Sequence, residues 1–471
     1  MRQTDHHRHM ISRRDVLQIS GMVAASAALP VAAQNFSIPD YRLEIAPITH
    51  ELSPRHKLKT VAYNGQVPGP VLRLKEGRPV TIEVTNHNDR EEVVHWHGLF
   101  TPVDADGSIE EGTAPIAPNA MARYTFIPRP SGFRWYHTHT MAMGDLSRGQ
   151  YSGQHGFLMI ESGNEPGRYD QEFFLALHDW GGYMLASDDG SMNPSYKITT
   201  INGKIMGSGE PLRVKQGQRV LLHVLNSSPS EVHWISFAGH ELRVIALDGN
   251  PAPTSQVVPM LRLAPGERVC ALVAMNNPGV WILGEVRRHV QAAGMGIIIE
   301  YANQSGPPRW QQPPDLVWSY EQFAVGQSNL EPTASAIKIP LVFESKFQGH
   351  GSMEAWTING RSYPDTGTDP LRPGQRYRLQ FINKSMDDHP LHLHRHSFEL
   401  RSLGAPLSAA SNAAPLKTAK NIRGIIKDVL LVDSQTQAEV EFTANNPGAS
   451  LFHCHQQNHM DFGFMMLFRY A

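Results

Sequence analysis

Cysteine is nearly missing from this sequence. Cys270 and Cys454 are the only two among 471 residues, so a disulfide framework is excluded and no structural disulfide is expected. Cys270 lies in the strand-like run Arg268-Val269-Cys270-Ala271-Leu272-Val273 and reads as a small buried hydrophobe. No segment reaches the roughly 18 consecutive apolar residues of a membrane helix, so no membrane span is expected. Neither sign of charge is in excess: 42 Lys and Arg face 44 Asp and Glu, for a formal net charge of -2. That balance leaves no footprint for nucleic acid or an anionic membrane surface, and it favours small molecules or metal ions as partners. Aromatic residues make up only 8%, whereas 39 Gly and 34 Pro suit many short strands and turns. The chain is too long for one core and sized for two to four domains of roughly 100–200 residues.

The N-terminus carries Ser12-Arg13-Arg14-Asp15-Val16-Leu17, a weakly apolar stretch from Ile19 to Leu29, and the small residues Val31-Ala32-Ala33. This order of charge, apolar run and cleavage site resembles a twin-arginine export signal over residues 1–33. The mature chain is therefore expected in the periplasm or otherwise exported.

An internal repeat organises the remainder. Tyr63-Asn64-Gly65, Ile201-Asn202-Gly203 and Ile358-Asn359-Gly360 each open a unit. Each leads to a strand pair ending in Asn: Val80 to Asn86, Val220 to Asn226 and Tyr377 to Asn383. The units close alike, on Gly132-Phe133-Arg134-Trp135-Tyr136, Gly279-Val280-Trp281-Ile282-Leu283 and Gly448-Ala449-Ser450-Leu451-Phe452. Apolar and polar residues alternate as half-buried antiparallel strands require. The reading is an all-β chain of three consecutive Greek-key β-sandwiches over residues 34–165, 166–305 and 306–471.

Histidine, at 24 residues, is plentiful. Four clusters stand out: His95-Trp96-His97, His137-Thr138-His139, His389-Pro390-Leu391-His392-Leu393-His394, and His453-Cys454-His455 followed by His459. In a strand, residues i and i+2 share a face, so each H-x-H doublet can approach one metal cluster. Satisfied core histidines would explain one doublet but not four clusters at equivalent places in two repeats. The middle unit reaches the same places with His233-Trp234-Ile235 and Gly284-Glu285-Val286, so metal is expected between the outer units, with the middle one as spacer and candidate substrate wall. No H-E-x-x-H and no C-x-x-C is present, which argues against zinc. Two His with one Cys is the blue-copper set, and His389, Cys454 and His459 match it.

These motifs and the triple repeat resemble the multicopper oxidase family, and the likeness covers nearly the whole mature chain. The resemblance implies cupredoxin-like sandwiches and four copper ions. His389, Cys454 and His459 would hold the type 1 copper, and His95 and His392 the type 2 copper. His97, His137, His139, His394, His453 and His455 would hold the type 3 pair. It also implies that Cys454 and His459 carry electron entry, because alternation sends Cys454 to one face and its neighbours to the other. Asp106-Gly107 stands where the family carries an acid that relays protons to oxygen; by itself the pair reads equally well as an Asp-Gly turn. Phe464 occupies the axial position, as in high-potential laccases, and Met465 would need a one-residue slip to replace it.

Some residues depart from the family pattern. Met460 stands where bacterial relatives have Glu, Gln456-Gln457 replaces an aliphatic pair, and Arg395 replaces a common Gly. The implied function is a laccase-like oxidation of phenols or aromatic amines, one electron at a time, coupled to four-electron reduction of O2 to water. The alternative is a metallo-oxidase for Cu(I), Mn(II) or Fe(II), motivated by export and by Met141, Met143 and Met460. A degenerate, non-enzymatic scaffold predicts missing ligands, and none is missing.

Overall fold

The computed structural model describes residues 38–163, 168–187, 190–237, 239–313, 318–325, 336–367, 370–404 and 420–471. The expected leader at 1–33 lies outside them.

The Asn-Gly repeat is a hairpin turn used three times. Asn64, Asn202 and Asn359 have φ of 51°, 53° and 52°, and Gly65, Gly203 and Gly360 follow at 71°, 69° and 77°. Two consecutive left-handed residues make a type I′ turn, which only Asn and Gly adopt cheaply and whose twist matches the flanking strands. Each Asn also ties the turn to a neighbouring strand, its Oδ1 accepting the N–H of Glu44, Ala176 or Val342 at 2.7, 2.8 and 2.8 Å.

A second asparagine recurs at the end of a central strand. Asn86, Asn226 and Asn383 are fully buried, and each donates Nδ2–H to carbonyls of the loop that follows, those of Arg90, Glu231 and Asp387 among them. A buried amide leaves no donor unpaired at small cost only when the loop closes around it. The three loops are thereby fixed, and each leads to the strand that carries His95, His233 or His389.

The strands form three two-sheet units. In the first, a sheet ordered His56–Tyr63, Tyr41–Ser53, Val80–Asn86, Met121–Phe126 packs on one ordered Gly69–Lys75, His155–Glu161, Gly132–Thr138, Val94–His97. In the second, a six-stranded sheet around Gln171–Trp180, Arg219–Asn226 and Arg268–Ala274 packs on a five-stranded sheet containing His233–Ser236 and Val280–Glu285. In the third, a larger sheet around Arg376–Asn383 packs on the sheet Val429–Val432, His389–Leu393, Ala449–Cys454, Met465–Arg469. In every unit the first strand also runs parallel to the Asn-terminated strand. The chain is thus three cupredoxin-like β-sandwiches.

Register then places the histidines. His95 stands opposite His137 in the first unit, and His392 opposite His453, with Leu391 opposite Cys454, in the third. The two α-helices among the described residues, Arg288–Ala292 and Gln457–Asp461, have five residues each, and no helix among those residues is long and apolar enough to cross a membrane.

Candidate metal centres

The outer sandwiches bring all ten candidate histidines and Cys454 into a buried interior where none is more than 2% exposed. Three doublets end their strands: His139, His394 and His455 follow directly on Thr138, Leu393 and Cys454, the last residues of theirs. The second histidine of each pair is therefore presented by chain that is leaving the sheet, which lets the members of a doublet serve different groups.

Four groups result. His389 Nδ1, His459 Nδ1 and Cys454 Sγ form a triangle of 3.2, 3.5 and 3.7 Å. His97 Nδ1 lies 3.4 Å from His137 Nε2 and 3.3 Å from His455 Nε2. His453 Nε2 lies 3.5 Å from His139 Nε2 and 3.1 Å from His394 Nε2. His95 and His392 approach one another beside His97. The segment His453-Cys454-His455 contributes to three of the four groups, its sulfur to one and its flanking rings to two others.

Hydrogen bonds at the outer ring nitrogens decide which nitrogen is offered inward. The backbone carbonyls of Asp106 and Asp428 take up Nδ1 of His95 and His392 at 2.9 and 2.7 Å, so each Nδ1 carries the proton and Nε2 is bare. Both Nε2 atoms are buried without a hydrogen-bond partner, which is costly unless a cation accepts the lone pair. His137 and His453 are oriented in the same way by the carbonyls of Thr138 and Cys454. Ser385 Oγ holds His389 Nε2 at 2.7 Å, leaving Nδ1 for the triangle.

Burial holds His137 and eight more of the candidate imidazoles neutral. It lowers the pKa of His389 to about 3 and, with the nearby His95, that of His139 to about 3; His97, His392, His394, His453, His455 and His459 are lowered well below their usual value for the same reason. Burial pushes the Cys454 thiol up, and only a bound cation would stabilise its thiolate there. Neutral imidazoles, one buried thiol beside two of them and two orphaned lone pairs fit metal binding. A triangle of two imidazole nitrogens and one sulfur suits copper better than a tetrahedral structural zinc.

The surroundings of the triangle are aromatic. Trp356 lies 4.0 Å from the His459 ring and Phe464 4.8 Å from the His389 ring. Phe464 is fully buried in the core that contains Cys454, whereas Met465 packs with Leu451, Met460 and Met141 in a separate cluster. His396 lies outside the four groups, buried, with Nδ1 3.1 Å from the carbonyl of His394 and Nε2 2.7 Å from the Tyr470 hydroxyl.

Asp106 takes a hydroxyl hydrogen bond from Thr101 at 2.5 Å, and its Oδ2 stands 2.9 Å from His394 Nδ1 and 3.2 Å from His95 Nδ1. Burial opposes its ionisation, but His95 and His394 hold it well below the usual carboxylate range. Glu111 sits beside it, accepting the Leu451 N–H at 2.5 Å. Burial and the Asp106 charge push Glu111 well above that range, so one carboxyl is ionised and its neighbour holds a proton.

Sequence reading missed an ionic network that connects all three sandwiches to this interior. Asp428 accepts from Arg268 at 2.5 and 2.7 Å and from Arg134 at 3.3 Å, and its Oδ1 lies 3.0 Å from His97 Nε2. Asp248 of the middle sandwich accepts the Lys427 ammonium at 3.0 Å, and Lys427 also meets Glu267 at 3.0 Å. Every one of these side chains is buried. The middle sandwich is therefore more than a spacer, since its Arg268 holds the carboxylate that holds His97. The available signal was Lys427-Asp428 within an otherwise apolar stretch from Ile425 to Val432, where unpaired charge would be prohibitive.

The departures from the family pattern also acquire roles. Arg395 sits at φ 61°, a conformation that favours Gly, yet its buried guanidinium donates to the carbonyls of Thr101, Ala449 and Pro447 at 3.0, 2.6 and 2.7 Å. Gln457 accepts the Gln150 N–H at 2.9 Å and donates to Asp461 at 2.8 Å. Both residues stitch the first sandwich to the third.

Comparison with known proteins agrees with this architecture. Models described as multicopper oxidase match residues 44–165, 172–301 and 339–471. Multicopper oxidase MmcO of Mycobacterium tuberculosis is 27% identical over 445 residues, covering 85% of this chain and 81% of that protein. Laccase-1 of Cryptococcus neoformans is 25% identical over 486 residues, covering 85% and 75%. Among solved structures, the multi-copper oxidase from Pseudomonas Thermotolerans superposes with a TM-score of 0.69 at 25% identity, covering 92% of this chain and 98% of that one. Fet3p, a multicopper oxidase that functions in iron import, shares the fold with a TM-score of 0.74 at 20% identity, covering 92% and 90%. With three matching models that together span most of the sequence, and with histidines and a thiol gathered where copper chemistry needs them, the chain belongs to the multicopper oxidase family, whose members are copper-dependent oxidoreductases that use O2.

Proposed function

We propose that this chain is an exported, laccase-like oxidase that takes single electrons from phenols or aromatic amines, with residues 34–165, 166–305 and 306–471 as its three domains. The observation that carries the reading is the segment His453-Cys454-His455, whose sulfur belongs to the triangle with His389 and His459 while its two rings belong to separate histidine groups. Four coppers, when bound, would store the electrons that a one-electron donor supplies singly and that O2 requires in fours.

His389, Cys454 and His459 are proposed to hold the type 1 ion, and His95 and His392 the type 2 ion. The remaining six histidines would hold the type 3 pair. Ser385, the Asp106 and Asp428 carbonyls and the Asp428 carboxylate orient these rings, while Trp356 and Phe464 exclude water from the triangle. Asp106 is proposed as the acid that relays protons towards O2, supported by its place between His95 and His394.

The test is copper quantification with absorption and EPR spectra, then O2 uptake on a dimethoxyphenol with and without added Cu(II). About four coppers per chain, with blue and type 2 signals, is expected; a single copper would reduce the chain to an electron carrier. One observation favours a metal-ion donor instead: Met386 is 81% exposed, and Asp387 and Asp388 lead from it to His389. Turnover of Cu(I) or Fe(II) with no phenol oxidation at any copper level would select that reading.

A further inference from the structure

A second chemical cluster lies outside the metal cleft, on the large sheet of the middle sandwich. Gln171–Trp180, Arg219–Asn226 and Arg268–Ala274 are neighbouring strands, and their register sets Cys270 directly opposite His223. Cys270 Sγ lies 3.3 Å from His223 Nδ1, and His223 Nε2 lies 3.0 Å from Glu172 Oε2. Glu172 is paired in turn with Arg73. Phe174 stacks on the imidazole at 4.5 Å and 14°, and Phe133 packs on it at 5.0 Å, so the ring is locked in this orientation. Cys270 and His223 line a cavity of about 100 Å³ between the first and second sandwiches, walled by Phe133, Met159, Leu221 and Ile245.

The directions of the hydrogen bonds follow from the chemistry of the groups. The His223 hydrogen bond holds Glu172 below the usual carboxylate range, and an ionised carboxylate can only accept. His223 Nε2 therefore carries a proton; in the neutral form of the ring Nδ1 is then the acceptor and the Cys270 thiol the donor. A cysteine present only as a small hydrophobe needs neither an imidazole nor a carboxylate, both of which are costly to desolvate. Thiol, base and orienting acid within hydrogen-bond reach are instead the arrangement of an activated nucleophile. Arg134 and Arg268 lie within electrostatic reach of the thiol and favour its anion.

We propose that Cys270, His223 and Glu172 form an activated-thiol site that takes hydrogen peroxide and becomes a sulfenic acid. The Sγ proton passes to His223 Nδ1, and the sulfur attacks one peroxide oxygen. The S–O bond forms as the O–O bond breaks, and the departing hydroxide recovers the proton from Nδ1 and leaves as water. Sulfur loses two electrons and peroxide gains them. The cavity beside the thiol has room for hydrogen peroxide. Cys454, the only other cysteine in the chain, is enclosed by His389 and His459 and cannot resolve the product, which persists until an external thiol reduces it.

The test uses the copper-loaded full chain, stoichiometric hydrogen peroxide and a sulfenic-acid trap, with the Cys270 peptide followed by mass spectrometry and Cys270→Ser as the blank. Trapping at Cys270 is expected at least about tenfold faster than in the denatured chain. His223→Gln should slow it by roughly tenfold or more and Glu172→Gln by less. The wild-type rate should level off below the free-thiol pKa of about 8.5. A rate no higher than that of the denatured chain, or rates unchanged in both variants, would overturn the site. If His223→Gln does not fold, Glu172→Gln and the pH profile decide it, and a profile that follows a free thiol counts against it. The readout does not depend on which donor the copper centre oxidises.

Discussion

His95 of the first sandwich and His233 of the middle one each open a His-Trp pair in a short strand at the same place in the fold, yet their rings are used in opposite ways. One ring nitrogen of His95 is bonded and the other is bare and buried. Both ring nitrogens of His233 meet carboxylates, Asp179 at 2.9 Å and Glu285 at 3.1 Å. Burial works against a charged His233, but Asp179 and Glu285 outweigh it and raise its pKa to about 10. Burial likewise opposes ionisation of Glu285, but His233 and Arg287 hold it at about 2. One scaffold position thus supplies lone pairs for a cation in the outer sandwiches and, in the middle one, a proton that makes the histidine itself the cation. The difference lies in the neighbouring residues: a carboxylate meets each ring nitrogen of His233, whereas Asp106 meets only Nδ1 of His95 and other imidazoles gather at its Nε2.

This contrast can be broken at its centre. Cys454→Ser should abolish the intense blue absorption and bring oxidase activity to the assay background while the fold is kept, as circular dichroism would check; a variant that stayed blue would remove the type 1 assignment. In the middle sandwich, His233→Gln removes the cation that pairs with buried Asp179 and leaves Glu285 to Arg287 alone, and it is expected to cost about 3–5 kcal/mol of stability. Copper bound per folded chain should not change, so chemical denaturation and metal analysis together separate the two regions.

Asp428→Asn, which weakens the hold on His97 and leaves Arg268 with Asp248 as its remaining counter-charge, should lower copper affinity or turnover by about 10–100-fold. Type 2 and type 3 signals should respond before the blue absorption does. If all signals changed in parallel, Asp428 would be structural only.

The smallest effect is a difference of sign with pH. The folded pKa of His233, about 10, lies above the unfolded value near 6.5. Its contribution is complete below about 6.5 and is lost as pH rises towards 10. His389 and His139 in the copper-free chain are depressed to about 3, so between about 6.5 and 3 the unfolded state binds more protons and acid destabilises the fold. Denaturation midpoints from pH 4 to 10 should therefore fall at both ends. His233→Gln should flatten the alkaline limb alone.

The Asn-Gly turns and the H-x-H doublets were legible before any coordinates because both are short-range devices. A type I′ turn is written in two residues, and a doublet in three. Cys270 was not legible: its composition and strand context suit a buried hydrophobe, and only the neighbouring strand shows His223 beside it. Asp428 was equally opaque, although charge inside an apolar run hinted at a partner.

The sequence by itself determined the number of sandwiches, the strands that carry the histidines and the donor set that selects copper, since backbone period and ligand chemistry are local properties. Tertiary structure alone decided which ring nitrogen each histidine offers, that Arg268 supports His97 through Asp428, and that Cys270 meets His223 and Glu172. These contacts join residues 160, 331, 47 and 51 positions apart. Pairing at such separations is set by how sheets pack and exclude water from charge, which no local pattern encodes.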